Sequence, residues 1–246
     1  MNKIAIQLAG QVRYWKKSYN DWVNFKSNLE KEGFDVDFHI CTWEDEYTNE
    51  CNFDFFETTN LVPINTEMVF KNVIRDRKKN ILKDTERRNQ VPFDMIPYTY
   101  LQYFGSRFRR LYQIKNTLEY DFIILVRPDA HYTDNEYLNF SKQLSKNWNL
   151  YSRSNFTIFI PLGISNSSGF KPEFPTRFSH DVLFGGTEES INLFCNGFLY
   201  CYLQTSQSFY STNHTIPAMI CMKTNLHDKT MKDVGNPLIR SYRRND

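Results

Sequence analysis

The stretch YDFIILVRPDAHY, Tyr120–Tyr132, sets the reading of the whole chain. Phe122 to Val126 is a run of five apolar residues, three of them β-branched, and such a run reads as a strand buried on both faces. Pro128 ends it, because a residue without a backbone N–H cannot continue a central ladder. The chain then turns through a polar knot in which Arg127, Asp129 and His131 stand just past the strand's C-terminal end. In open α/β sheets that is where ligands bind.

The knot has a chemistry of its own. One residue separates Asp129 from His131, and an Asp-x-His turn can aim a carboxylate oxygen and an imidazole nitrogen at one divalent cation. Mixed O/N donation suits Mn²⁺ better than the all-oxygen shell of Mg²⁺, so either ion is a candidate cofactor and Mn²⁺ the better match. Such a cation would hold a diphosphate, and Arg127 would offer a fork matched to phosphate oxygens. The same residues have an ordinary reading: an Asp capping the next turn, an Arg in a surface ion pair and an exposed His. Short motifs do not decide between the two.

At 246 residues the chain is long enough for a sizeable core, and one α/β domain of this size is expected. With 41% hydrophobic, 24% charged and 16% aromatic residues the composition is globular rather than disordered. A net charge of +2 supplies no global attraction to nucleic acid or membrane. No segment approaches the roughly 18 apolar residues of a transmembrane helix, and Ile4–Ala9, interrupted by Gln7, is too short for a signal peptide. Five cysteines, Cys41, Cys51, Cys195, Cys201 and Cys221, form no C-x-x-C pair. Reduced thiols in the cytoplasm are therefore expected.

Taken in order, Lys3–Leu8 reads as a first strand that stops at Ala9-Gly10-Gln11-Val12-Arg13, where Gly10 permits a tight turn near a ligand. Ser18 is a candidate cap for a helix carrying Tyr19, Trp22, Val23 and Leu29 on one face and ending at Gly33. Val36–Thr42 is the second strand, so the chain opens with a βαβ unit and a parallel sheet. Gln11 and Arg13 would share a rim with Asp129: Arg13 can grip a phosphate and Gln11 a base or ribose, or both can be an ordinary polar turn. His39, inside the second strand, reads as a core histidine with one hydrogen bond. Residues 44–97 show weak periodicity and are expected to form a helical and loop insertion without sheet. Within them, Lys71–Arg88 carries eight basic residues against three acidic ones, the pattern of a solvated helix face.

Thr99–Glu119 is the clearest helix, with Tyr100, Leu101, Phe104, Phe108, Leu111, Tyr112 and Leu118 as a core-facing stripe and Arg107, Arg109 and Arg110 on other faces. Tyr103 and Arg107 would reach over the sheet edge toward a nucleotide if they are not simply surface residues. Downstream, Phe156–Ile160 is a strand, and Pro161–Arg177 is a long loop of the kind that closes over a substrate. In SHDVLFGGTEESINLF, Val182–Phe184 reads as a short strand, Gly185-Gly186 as a turn and Thr187 as the cap of a helix with Glu188 and Glu189 in its first turn. Asp181, just before that strand, can serve as a general base. His214 or His227 is a candidate late ligand to a cation at Asp129, and Arg240, Arg243 and Arg244 are candidate diphosphate clamps.

Together, KIAIQLAGQVR, VDFHICTW, YDFIILVRPDAHY and SHDVLFGGTEESINLF resemble, in matching order, a family of small bacterial and viral glycosyltransferase-like proteins with a GT-A-type fold. The resemblance spans Lys3–Trp43 and Tyr100–Phe194. It implies a mostly parallel central sheet flanked by helices, with an antiparallel edge from the later strands. It also implies transfer of a sugar from a nucleotide-sugar donor to a hydroxyl of a glycan or glycolipid. Gly10, Gln11, Arg13 and Arg127 would face the nucleotide, Asp129 and His131 would hold the metal, and Asp181 would lie near the acceptor. The chain departs from the commonest pattern by placing Arg127-Pro-Asp129 where two acids are usual, so Arg127 would take over part of a cation's charge. A non-catalytic nucleotide-binding or virion scaffold protein is the alternative. Nucleic acid is not an expected partner, given the near-neutral charge and the absence of a recognisable binding motif.

Overall fold

Successive side chains of a strand leave opposite faces, so Phe122–Val126 can be buried throughout only where both faces of its sheet are covered. In the computed structural model, which describes residues 1–66, 95–130, 134–161, 164–166, 177–179, 183–204 and 215–231, that is the case. Phe122, Ile124 and Val126 enter one core with Ile4, Ile6 and Leu8, while Ile123 and Leu125 enter a second with Ala5 and Ala9.

The strand, β4 (Phe122–Val126), follows β1 (Asn2–Ala9), β2 (Phe34–Glu44) and β3 (Thr58–Pro63) in the chain. It pairs parallel with β1, which pairs parallel with β2, and β2 with β3. Beyond β4 come β5 (Thr157–Ile160), a separate antiparallel pair of β6 (Ile164–Asn166) and β7 (Arg177–Ser179), then β8 (Leu183–Gly186) and β9 (His227–Thr230). The seven-stranded sheet runs β3-β2-β1-β4-β8-β5-β9. Only β8 opposes its neighbours. The antiparallel strand therefore lies inside the sheet, between β4 and β5, and not at the expected edge.

Helices cover both faces. On the first core lie α1 (Trp15–Lys31), α3 (Asp134–Lys146) and the short α4 (Trp148–Tyr151), through Trp22, Phe25, Leu29, Tyr137, Phe140, Leu144 and Tyr151. On the second lie α2 (Met95–Asn116), α5 (Glu188–Gln204) and α6 (Thr215–Thr224), through Leu101, Ile191, Phe194 and Ile220. Helix α3 is not among the sequence expectations, although Tyr137, Phe140, Ser141 and Leu144 carry helical spacing and are buried.

Several local expectations change. Helix α1 begins at Trp15 after a left-handed Tyr14, so Ser18 is no cap: it is buried in the second turn, and its hydroxyl donates to the Trp15 carbonyl at 3.3 Å. Gly33, at φ 90°, ends the helix region as expected. The stretch 44–97 was expected to be free of sheet, yet β3 pairs from Thr58 to Pro63 with β2. Gly185-Gly186 continues β8 instead of turning. A Cβ at Gly185 would meet the Phe122 ring at 2.8 Å, so the absent side chain makes room for a core aromatic.

Helix α2 keeps part of its expected face, since Tyr100 and Phe104, with Leu118 just past its end, pack against the second core, and loses the rest. Leu101 is buried, but Phe108, Leu111 and Ile114 face outward and Arg109 is wholly buried. The cause lies in β1, where Gln7 is buried mid-strand and must be satisfied. Its amide donates to the Gln102 carbonyl at 3.1 Å, and its carbonyl accepts from Arg109 Nη1. Gly105 lets the helix come close enough, since a Cβ there would meet Gln7 Nε2 at 2.8 Å. Arg109 Nη2 reaches Asn192 Oδ1 at 2.6 Å, and Glu188 holds Asn192 and Gln113 at 3.3 and 2.8 Å.

His39 is a core histidine, with two hydrogen bonds instead of one. Tyr120 donates its hydroxyl to Asp37 Oδ2 at 2.6 Å, so it accepts from His39 Nε2 at 2.8 Å. The other ring nitrogen then accepts from Thr58 Oγ1 at 2.9 Å. Burial, with the charges of Arg109 and Lys3 behind it, lowers the imidazole pKa to about 3.

Candidate functional site

The strand order reverses at β1, with β2 and β3 on one side and β4 on the other. The crevice beyond the C-terminal ends of β1 and β4 is thus the place where a parallel sheet offers a ligand site. Gly10 leaves β1 at φ 138°, its N–H bonded to the Cys41 carbonyl at 3.2 Å. A Cβ there would stand 3.1 Å from Pro128 Cδ and 3.9 Å from the Tyr98 ring. Both the backbone and the close approach of the two strand ends require glycine. The sequence-predicted turns around Gly10 and Pro128 are therefore one place in space.

Past Gly10, Arg13 is exposed and donates Nε to Gln11 Oε1. The Gln11 amide donates to Asp45 Oδ2 at 2.5 Å, and Asp45 Oδ1 accepts from the Tyr47 N–H at 3.0 Å. Asp45 was hidden in the acidic stretch after β2. Its signal in the sequence is that of an Asp just past a strand end, capping the short turn Glu46–Glu50. Gln11 is therefore already committed to orienting Arg13 as the crevice stands.

On the β4 side, the Ala130 N–H closes a turn onto the Arg127 carbonyl at 3.1 Å, and the Trp22 indole donates to the Pro128 carbonyl at 3.3 Å. Arg127 meets Asp129 as a fork: Nε to Oδ1 at 2.9 Å and Nη2 to Oδ2 at 2.7 Å. This bears directly on the expected cation. Both Asp129 oxygens are bonded to one guanidinium, and an ion on their remaining lone pairs would stand against that positive charge in a partly buried place. No group of three His, Cys, Asp or Glu able to hold a metal occurs among the described residues. The described donors do not fit a divalent cation at Asp129 while Arg127 holds it.

The other expectations separate. His131, Asp181, His214, Arg240, Arg243 and Arg244, together with the run Lys71–Arg88, lie outside the described residues. His227 pairs with Thr157, the first residue of β5, and so lies at the opposite end of the sheet from Asp129. It is no ligand to that group. Arg107 lies over the Tyr103 ring at 5.1 Å and donates to Asn196 Oδ1 at 3.1 Å, bridging α2 to α5 away from the nucleotide role considered for it. Of the long loop 161–177, residues 164–166 pair with β7. A cavity of about 580 Å³ opens on the flank, between Lys146, Leu150 and Tyr151 on one side and Phe159 and Lys229 on the other, and includes none of the crevice residues.

No known family model matches the chain, and comparison with curated proteins finds no similar one.

Proposed function

We propose that the crevice between β1 and β4 binds a nucleotide-sugar and that the protein is a glycosyltransferase acting on a hydroxyl of a glycan or glycolipid. The observation that carries this is the close approach of the Gly10 and Pro128 turns where the strand order reverses, with Arg13 following one turn and Arg127 opening the other, each guanidinium bonded to a neighbouring acceptor. A mostly parallel sheet flanked by helices, with an antiparallel member among the later strands, supports the GT-A-type resemblance of the sequence.

In this reading Arg13 and Arg127 meet the negative charge that grows on the departing diphosphate, a stabilisation that costs no reorganisation when the donors are already in place. The bond from the sugar's anomeric carbon to the diphosphate oxygen breaks with its electron pair on that oxygen. The acceptor oxygen forms the new bond and loses its proton to a base, a role that falls to Asp181 if the reaction inverts configuration. Four free thiols, Cys41, Cys51, Cys195 and Cys221, among the described residues support a cytoplasmic setting. No helix of the described residues is long and apolar enough to cross a membrane.

A thermal-shift panel of UDP-, GDP-, CMP- and TDP-sugars tests this reading. At about 100 times its dissociation constant a donor adds roughly 2.7 kcal/mol to stability. One nucleotide class is expected to raise Tm and then to turn over with an acceptor; no response from any of them would remove the donor-site assignment. A second reading, a nucleotide-binding protein without turnover, is favoured by one observation. Asp45 and Asp129, the carboxylates of the rim described here, are both engaged by protein donors. Binding without sugar release, in the presence of acceptor glycans, is its signature.

A further inference from the structure

We infer that this crevice takes its diphosphate without a divalent cation: Arg127 supplies the positive charge, and Asp129 aims the guanidinium instead of ligating a metal. The inference rests on the diphosphate reading above and deepens it by naming the group that meets the charge.

Three observations carry it. First, the fork is complete, with two near-parallel hydrogen bonds of 2.9 and 2.7 Å from one planar guanidinium to both oxygens of one carboxylate. That is the strongest arrangement available to the pair. Second, the two residues are fixed by their surroundings. They span a closed turn whose neighbours Val126, Pro128 and Ala130 are buried, and the Trp22 indole pins that turn through the Pro128 carbonyl. Third, the guanidinium is the more open partner, with 28% of the Arg127 side chain exposed against 15% for Asp129. An anion arriving from solvent meets the cation first, with the carboxylate behind it.

The two roles for Asp129 give opposite results for one substitution. Asp129→Asn keeps an acceptor beside Arg127 and removes a negative charge from the anion's path. It therefore leaves nucleoside diphosphate binding unchanged or tighter if Asp129 only aims Arg127. A metal ligand replaced in the same way loses its cation, and the diphosphate with it.

Calorimetric titration of UDP, GDP and TDP into the full chain, in EDTA and again with Mn²⁺, decides the matter. The expected result is a dissociation constant that agrees within about threefold in the two conditions. Arg127→Gln is expected to weaken binding by about tenfold or more, the scale of a lost charge-assisted contact, and Asp129→Asn is expected not to weaken it. A dissociation constant that improves beyond that margin on adding Mn²⁺, or an Asp129→Asn variant that weakens binding, overturns the inference and leaves the diphosphate reading standing. If none of the three nucleotides binds in either condition, the diphosphate reading itself falls, and this inference with it. Melting curves of both variants keep a folding failure from passing as lost affinity.

Discussion

Arg109 holds its guanidinium in the core between β1 and α5, and its charge is met by the carbonyl oxygens of Gln7 and Asn192, with Glu188 one step behind. Burial lowers its pKa, yet an arginine keeps its proton. Truncating it strands a buried acceptor on β1 and a partly buried one on α5. Arg109→Ala is therefore expected to destabilise the protein by about 3–5 kcal/mol, read as a fall in urea midpoint, whereas a surface arginine would cost under about 0.5 kcal/mol. His39 makes a second prediction, this time about acid. Its pKa is about 3 in the fold, against an ordinary 6.5. Between those values the unfolded chain takes up a proton that the folded chain refuses. The stability is fully present above the ordinary value and is lost as pH falls toward about 3, at about 1.4 kcal/mol per pH unit from this group. Urea unfolding at pH 7, 6, 5 and 4 measures the slope. His39→Gln should flatten it by that amount, and an unchanged slope would show that His39 does not titrate on unfolding.

At the scale of elements, α2 shows how a buried polar residue overrides an apolar stripe. Phe108 and Leu111 belong to the stripe that reads as a core face, but Gln7 in the middle of β1 calls for Gln102 and Arg109, and Gly105 lets the helix approach on that side. Leu111 and Ile114 are left 60% and 72% exposed. The double change Leu111→Lys and Ile114→Lys is accordingly expected to shift stability by less than about 1 kcal/mol, where the same change on a core face would cost several. Circular dichroism melts distinguish the two. Gly10 makes the complementary point at a strand end. Gly10→Ala places a Cβ 3.1 Å from Pro128 at φ 138° and should cost about 1–3 kcal/mol while weakening any nucleotide bound in the crevice.

For the molecule as a whole, the sheet order places β1 and β4 at the centre and β3 and β9 at the margins. Residues Ile4–Leu8 and Phe122–Val126 are buried, whereas His227, Lys229 and Thr230 of β9 are exposed. Hydrogen exchange is expected to follow that gradient: amides of β1 and β4 exchange only with global unfolding, those of β9 by local opening. Equal protection across the sheet would contradict it. The same order brings the Gly10 turn and the Arg127-Pro128-Asp129 turn together, although more than a hundred residues separate them.

The sequence alone determined the elements whose cause is local. The apolar run Phe122–Val126 defined β4, Gly33 closed the α1 region, and Thr187, whose hydroxyl lies 3.4 Å from the Ser190 N–H, began α5. Gly10, Gln11, Arg13, Arg127 and Asp129 were also legible, because polar residues just past strand ends mark the rim of a parallel sheet. Tertiary structure alone decided which part of the α2 stripe is buried, the insertion of β8 between β4 and β5, and the partners of the rim residues: Asp45 for Gln11, Arg127 for Asp129. Periodicity reports which residues share a face of their own element. Which face is buried, and which charge meets which, depends on elements distant in the chain, such as the β1 strand whose Gln7 calls for Arg109 of α2.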